Sequence, residues 1–107
     1  MAVKEITPLE MKDWIDSGKE FQLIDVREPH EFETCNLKGE LIPLATVSEA
    51  HEKFRRDIPV IVHCRSGARS GRAIEELQAK FGFDNLINLK GGILRYSDDV
   101  DPTIPKY

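Results

Sequence analysis

Between Pro59 and Gly82 the chain carries a complete strand–loop–helix unit, and that unit constrains the kind of sheet it can build. Val60-Ile61-Val62-His63 is a short, β-branched run that suits a buried strand. Cys64-Arg65-Ser66-Gly67 interrupts it, after which Ala73, Ile74, Leu77 and Phe81 recur at helical spacing until Gly82 supplies a stop. Leu86 to Leu89 is the next strand. A strand that feeds a helix and then another strand returns by a crossover, so the two strands lie parallel.

The same alternation runs through the rest of the chain. Thr7-Pro8-Leu9-Glu10 has the residues of a capping box, with proline at the first helical position. The helix it opens carries Met11, Trp14 and Ile15 on its apolar side and closes at Gly18. Phe21 to Val26 reads as a mostly buried strand, Pro29 to Glu33 as a brief polar helix, and Glu40 to Leu44 as a second short strand. Thr46 or Ser48 is placed to cap a helix carrying Val47, Ala50 and Phe54, with His51-Glu52-Lys53 and Arg55-Arg56-Asp57 on its solvated face. Gly91-Gly92 breaks the chain before a short helix over Ile93 to Tyr96. The tail from Asp98 to Tyr107, with Pro102 and Pro105, reads as polar and extended. Strands alternating with helices predict an α/β fold, a mostly parallel sheet covered on both faces, in a single domain over residues 1–107.

Charge and cysteine usage exclude several classes of function. The net charge is −4 over 107 residues, which argues against nucleic acid as the main partner. No apolar run approaches the roughly 18 residues of a membrane span, and Met1-Ala2-Val3-Lys4-Glu5 has no hydrophobic signal core. The expectation is a cytoplasmic protein with no membrane partner. Cys35 and Cys64 are too few and too poorly spaced for a zinc site or a disulfide framework, so no metal is expected and both read as free thiols.

One of those thiols stands where parallel sheets keep their ligands. Cys64 lies just past the carboxyl end of its strand, the side of an open α/β sheet that forms the site. The N–H groups of a tight loop and of a helix's first turn lack helical partners and converge on an anion there. The helix dipole adds roughly half a positive charge, and Arg65 and Arg69 add two full ones. These favour the thiolate, the nucleophilic form. Gly67 and Gly71 can take positive φ and let amides point inward. The backbone from Arg65 through Ser66, Gly67, Ala68, Arg69 and Ser70 is therefore the expected cradle. Arg65 is placed to meet an anionic ligand. Arg69 either closes the cradle or bonds loop carbonyls or a core carboxylate, and Ser70 either donates to sulfur with Ser66 or caps the following helix. His63 precedes the nucleophile, but adjacent strand residues point to opposite faces, which makes it structural rather than a general base. Asp25 ends the strand expected beside that of Cys64, within reach of the loop, and it and Arg27 stay open here between a catalytic acid or clamp and structural support. Cys35 lies in the polar stretch Thr34-Cys35-Asn36 and reads as an incidental thiol.

Four segments in order resemble the signatures of the single-domain rhodanese, or thiosulfate sulfurtransferase, family. They are Leu23-Ile24-Asp25-Val26-Arg27-Glu28-Pro29-His30-Glu31-Phe32; Gly39 with Ile42-Pro43-Leu44; Val60 through Ser70; and Leu89-Lys90-Gly91-Gly92-Ile93. The resemblance implies a three-layer α/β/α fold with a largely parallel five-stranded sheet, and a Cys64 persulfide formed from thiosulfate or another sulfur donor. It implies transfer of that sulfur to cyanide or to a thiol or protein acceptor, with no cofactor. It also implies that the Asp25-Val26-Arg27 segment holds the fold. Cysteine phosphatases and arsenate reductases resemble the chain in the His-Cys start, but their loop has five residues between cysteine and arginine. Here Arg65, Ser66, Gly67 and Ala68 are the four that separate Cys64 from Arg69, and Ser70 holds the sixth position. A shorter loop suits one sulfur atom better than a tetrahedral oxyanion. The other alternative is a non-catalytic rhodanese-like binding module or sulfur-relay partner. The segment from Leu89 to Tyr107 resembles the end of rhodanese domains fused to adenylating enzymes of sulfur-carrier pathways, which admits either a free-standing relative or an excised domain. Asn36 to Leu44 departs from the family pattern, one residue short and lacking that pattern's histidine and proline.

Overall fold

The structure, a computed structural model, describes residues 3–107. Five strands, β1 (Lys4–Ile6), β2 (Gln22–Asp25), β3 (Glu40–Leu41), β4 (Val60–His63) and β5 (Leu86–Leu89), form one sheet in the order β1-β5-β4-β2-β3. Every pairing is parallel. Four α-helices accompany them: α1 (Pro8–Ser17), α2 (Pro29–Thr34), α3 (Ala68–Phe81) and α4 (Gly92–Asp99). β1 is the strand that periodicity did not reveal. It has three residues with only Ile6 buried, too short a run to show alternation, and it exists by pairing Lys4 through Ile6 with Ile87 through Leu89.

Strand alternation sorts the side chains into two layers. Ile24, Val26, Val60, Val62, Cys64 and Leu86 pack with Ala73, Ile74 and Leu77 of α3 and with Val47 and Phe54. Ile6, Ile61 and Leu89 face the other way, against Met11 of α1 and Tyr96 of α4. Trp14 is half-buried at the edge of that second layer and tilts against Phe21, whereas Ile15, predicted on the apolar side of α1, is 46% exposed.

Two segments differ from expectation. The predicted helix through Val47, Ala50 and Phe54 is instead a pair of 3₁₀ turns, Leu44–Thr46 and His51–Lys53. The hydroxyls at its start are engaged elsewhere, Thr46 Oγ1 donating to the Pro43 carbonyl and Ser48 Oγ to Glu76 on α3, which leaves no N-cap for a longer helix. The tail is not simply extended: α4 runs on through Asp99, and the chain then folds back. Ile104 packs into the α1–α4 layer and Ser97 Oγ donates to its carbonyl.

The turn into α4 fixes the loop after β4. Ile93 N–H donates to the Cys64 carbonyl at 3.0 Å and Leu94 N–H to the Arg65 carbonyl at 3.2 Å, so the first amides of α4 hold the loop's first two carbonyls. Gly92 makes this approach possible. Its φ is 62°, and a Cβ there would lie 2.4 Å from the Arg65 oxygen and 2.6 Å from that of Cys64. Gly92→Ala therefore combines left-handed strain of roughly 1–2 kcal/mol with a backbone collision. Urea denaturation should show a loss above about 2 kcal/mol; a loss under about 1 kcal/mol would contradict this close approach.

Candidate active site around Cys64

Burial and backbone geometry bring the sulfur to the amino end of α3. Cys64 is 1% exposed and belongs to the α3-side layer, while its carbonyl is held by α4. The chain turns at Gly67, the N-cap of α3, whose φ is 106°. The Gly67 N–H points at Sγ at 3.1 Å, the Ser70 N–H at 3.5 Å, and Ser70 Oγ stands 3.4 Å away. Among the described residues the remaining cradle positions, Arg65, Ser66, Ala68 and Arg69, place no donor on Sγ. Gly71, expected to shape the loop through positive φ, is an ordinary helical residue of α3. Ser70 is likewise inside the first turn rather than before it.

The two arginines are held differently. Arg69 makes a bidentate pair with Glu31 of α2, Nη1 to Oε1 at 2.6 Å and Nη2 to Oε2 at 2.8 Å. Of the readings open from sequence, geometry gives the core carboxylate. Arg65 is exposed, and its guanidinium donates through Nε and Nη2 to the Tyr107 main-chain oxygen, the first at 2.8 Å.

On the other face of the sheet Asp25 and Arg27 form an ion pair with neither side chain exposed. Arg27 Nε and Nη2 bond the carboxylate, Nη2 also reaches the Cys35 carbonyl at 2.8 Å, and Nη1 donates to the Tyr107 hydroxyl at 2.8 Å. That hydroxyl in turn donates to Glu31 Oε2 at 2.9 Å. Asp25, Arg27, Tyr107, Glu31 and Arg69 thus form one polar chain that wraps the end of the sheet to the Cys64 loop. The Arg69 guanidinium is the main reason the Glu31 carboxyl is held down to about 2.

His63 is paired in register with Asp25 and fully buried away from Cys64, its Nε2 3.7 Å from Oδ2 and neither ring nitrogen hydrogen-bonded. Burial pushes its imidazole down to about 4, with the Asp25 carboxylate opposing and Arg27 reinforcing the shift. Cys35 is half-buried, its thiol directed at the Pro105 carbonyl at 3.5 Å. Among the described residues no three His, Cys, Asp or Glu side chains cluster as metal ligands, and no helix is long and apolar enough to cross a membrane.

Sequence reasoning missed three residues of this arrangement. Asn88, in β5, bonds both Ser70 and Gly67, and its signal was an amide inside the apolar run Leu86-Ile87-Asn88-Leu89. Glu31 looked like any helix-start carboxylate. Tyr107 gave no signal, because only the fold-back of the tail brings it to Arg27.

Comparison with known proteins places this geometry among relatives. The profile of the rhodanese-like domain family matches residues 7–99. The chain is 35% identical over 105 residues to a probable adenylyltransferase/sulfurtransferase, MoeZ, of Mycobacterium tuberculosis, covering 95% of this chain and 26% of that protein. It is 34% identical over 95 residues to the adenylyltransferase and sulfurtransferase UBA4 of Saccharomyces cerevisiae, covering 78% of this chain and 22% of that protein. It thus spans about a quarter of the length of these two relatives. The crystal structure of a rhodanese-like domain protein from Staphylococcus aureus superposes with a TM-score of 0.80 at 29% identity, covering 92% of this chain and 95% of that one.

The two shifted groups set an acid limit to stability. His63 binds its proton near 4 when folded and near 6.5 when unfolded, so the unfolded chain takes up more protons in that window and stability falls as pH drops from about 6.5 to 4. Glu31 contributes stability above about 4.5 that is lost as pH falls towards 2. Urea midpoints measured against pH should decline through both windows. The decline between 6.5 and about 4.5 should disappear in His63→Leu, and that below 4.5 should weaken in Glu31→Gln. A wild-type midpoint constant from 6.5 to 4 would contradict the burial of a neutral His63.

Proposed function

We propose that this chain, which belongs to the rhodanese-like domain family, is a sulfurtransferase that carries sulfur as a persulfide on Cys64 and takes it from thiosulfate or a similar anionic donor. The supporting observation is the convergence of the Gly67 and Ser70 N–H groups on Sγ at the amino end of α3. Donors so placed stabilise a thiolate and then the charge on the persulfide without reorganising. The Cys64 thiolate attacks the outer sulfur of thiosulfate, the sulfur–sulfur bond breaks, and its electron pair leaves with sulfite. A thiolate or cyanide then attacks the terminal sulfur of the persulfide and returns Cys64 as thiolate.

The pairing of Arg69 also favours sulfur transfer over phosphate-ester cleavage. A tetrahedral oxyanion in a cysteine loop calls for a guanidinium free to clamp it, and Arg69 already spends both Nη groups on Glu31. Arg65, exposed at the loop's outer edge with Nε and Nη2 on the Tyr107 main-chain oxygen, is the residue proposed to bind the donor's sulfonate, through Nη1 or by exchanging that surface contact. Burial of Sγ fits a donor whose reacting atom is a single terminal sulfur. Asp25, Arg27 and His63 support the fold in this reading. The names of the two relatives, each an adenylyltransferase and sulfurtransferase, support sulfur transfer as the class of reaction.

Steady-state thiosulfate:cyanide sulfurtransfer tests the assignment. Cys64→Ser should abolish turnover with the fold intact. Arg65→Ala should raise the KM for thiosulfate about tenfold, as expected for loss of one charge-assisted contact, while changing kcat by less than about threefold. Turnover surviving in Cys64→Ser would overturn the mechanism, and an unchanged KM in Arg65→Ala would remove Arg65 from the donor site.

A further inference from the structure

The sulfur's hydrogen-bond donors do not hold themselves in place. Gly67 and Ser70 both lean on Asn88, a 5% exposed residue of β5 that sits beside Val62 of β4, on the face that carries Cys64. Its amide can be oriented without ambiguity. The Gly67 carbonyl only accepts, so the Asn88 atom 3.1 Å from it is the Nδ2 donor. Oδ1 then faces Ser70 Oγ at 2.5 Å, and because an amide oxygen only accepts, the single Ser70 proton lies on that bond. Asn88 therefore spends its donor on one end of the first turn of α3 and its acceptor on the other.

We propose that Asn88 is a positioning residue for Cys64: it fastens the amino end of α3 to the sheet so that the N–H groups of Gly67 and Ser70 stay aimed at Sγ. The inference rests on the sulfurtransferase reading for its consequence in turnover, and on geometry alone for its effect on the thiol.

The mechanics follow from the backbone. Gly67 supplies the shortest donor to sulfur, 3.1 Å, from a residue at φ 106° that has no side chain of its own to hold it. Its carbonyl already takes the Gly71 N–H at 3.1 Å as the first helical bond of α3. The Asn88 amide adds the only side-chain donor to that carbonyl from outside the loop and helix among the described residues, and so ties the helix end to β5. The amide lies against both glycines: a Cβ at Gly67 would stand 3.8 Å from Nδ2 and one at Gly71 3.6 Å. Ser70 Oγ, with its proton held by Asn88, is kept within 3.4 Å of Sγ. Asn88 makes no bond to sulfur itself.

The test reads the thiolate directly and turnover separately. Ultraviolet thiolate absorbance, taken as the difference from Cys64→Ser, is followed against pH in wild type, Asn88→Ala, Ser70→Ala and the double variant. In Asn88→Ala the thiolate fraction at neutral pH should fall about fivefold, the loss expected for roughly one net hydrogen bond to the charged form, with the titration displaced to the alkaline side. Ser70→Ala, which leaves the Gly67 anchor intact, should fall by less than half as much, and the double variant should match Asn88→Ala within twofold. Single-turnover sulfite release from thiosulfate should slow in proportion at neutral pH and recover to within twofold of wild type above the ordinary thiol range, with the KM for thiosulfate changed less than twofold. Asn88→Ser is read in the same way if the alanine variant does not fold. A titration of Asn88→Ala that is unmoved, or displaced to the acid side, overturns the proposal. Wild-type protein that releases no sulfite instead sinks the sulfurtransferase reading, while the thiolate titration still decides the role of Asn88.

Discussion

A guanidinium with no exposed surface must find acceptors inside the protein for its N–H groups, and Arg27 obliges much of this fold to supply them. Asp25 gives both carboxylate oxygens, the end of α2 gives the Glu31 and Cys35 carbonyls, and the returning tail gives the Tyr107 hydroxyl. The helix that follows β2 and the tail, 80 residues further on, are thereby drawn to the carboxyl end of that strand. The pair is costly to desolvate and costlier to break, so these elements are positioned together or not at all. Through Tyr107 and Glu31 the same network reaches Arg69, one residue before Ser70.

The second constraint is that two helices begin at one loop. α4 spends its first amides on the carbonyls of Cys64 and Arg65, and α3 turns its own towards Sγ. The loop is gripped by its oxygens on one side and presents N–H groups on the other, an arrangement that favours negative charge at sulfur. A chain of net charge −4 thus turns the amino end of one helix towards a single thiol.

Much of this was legible because it is periodic or local. The strand Val60–His63, the helix after it and the capping box at Thr7 rest on neighbouring residues, and the parallel sheet follows from their alternation. The opposite facing of His63 and Cys64 follows from the two-residue period of a strand. The illegible parts depend on partners far away in sequence. β1 is a strand only because β5 lies beside it, and the segment around Val47 stays in 3₁₀ turns because Ser48 bonds Glu76 on α3. Arg69 could be read as a clamp or a support until Glu31 was seen opposite it. Tyr107 closes the network by a fold-back that its polar, proline-containing segment did not announce.

If Cys64 stores sulfur as a persulfide, intact mass spectrometry registers it as added mass. After incubation with thiosulfate the protein should gain the mass of one sulfur atom, removable by dithiothreitol, and peptide mapping should place it on Cys64 and not on Cys35. An unchanged mass, or a dithiothreitol-labile sulfur mapped to Cys35, would contradict it.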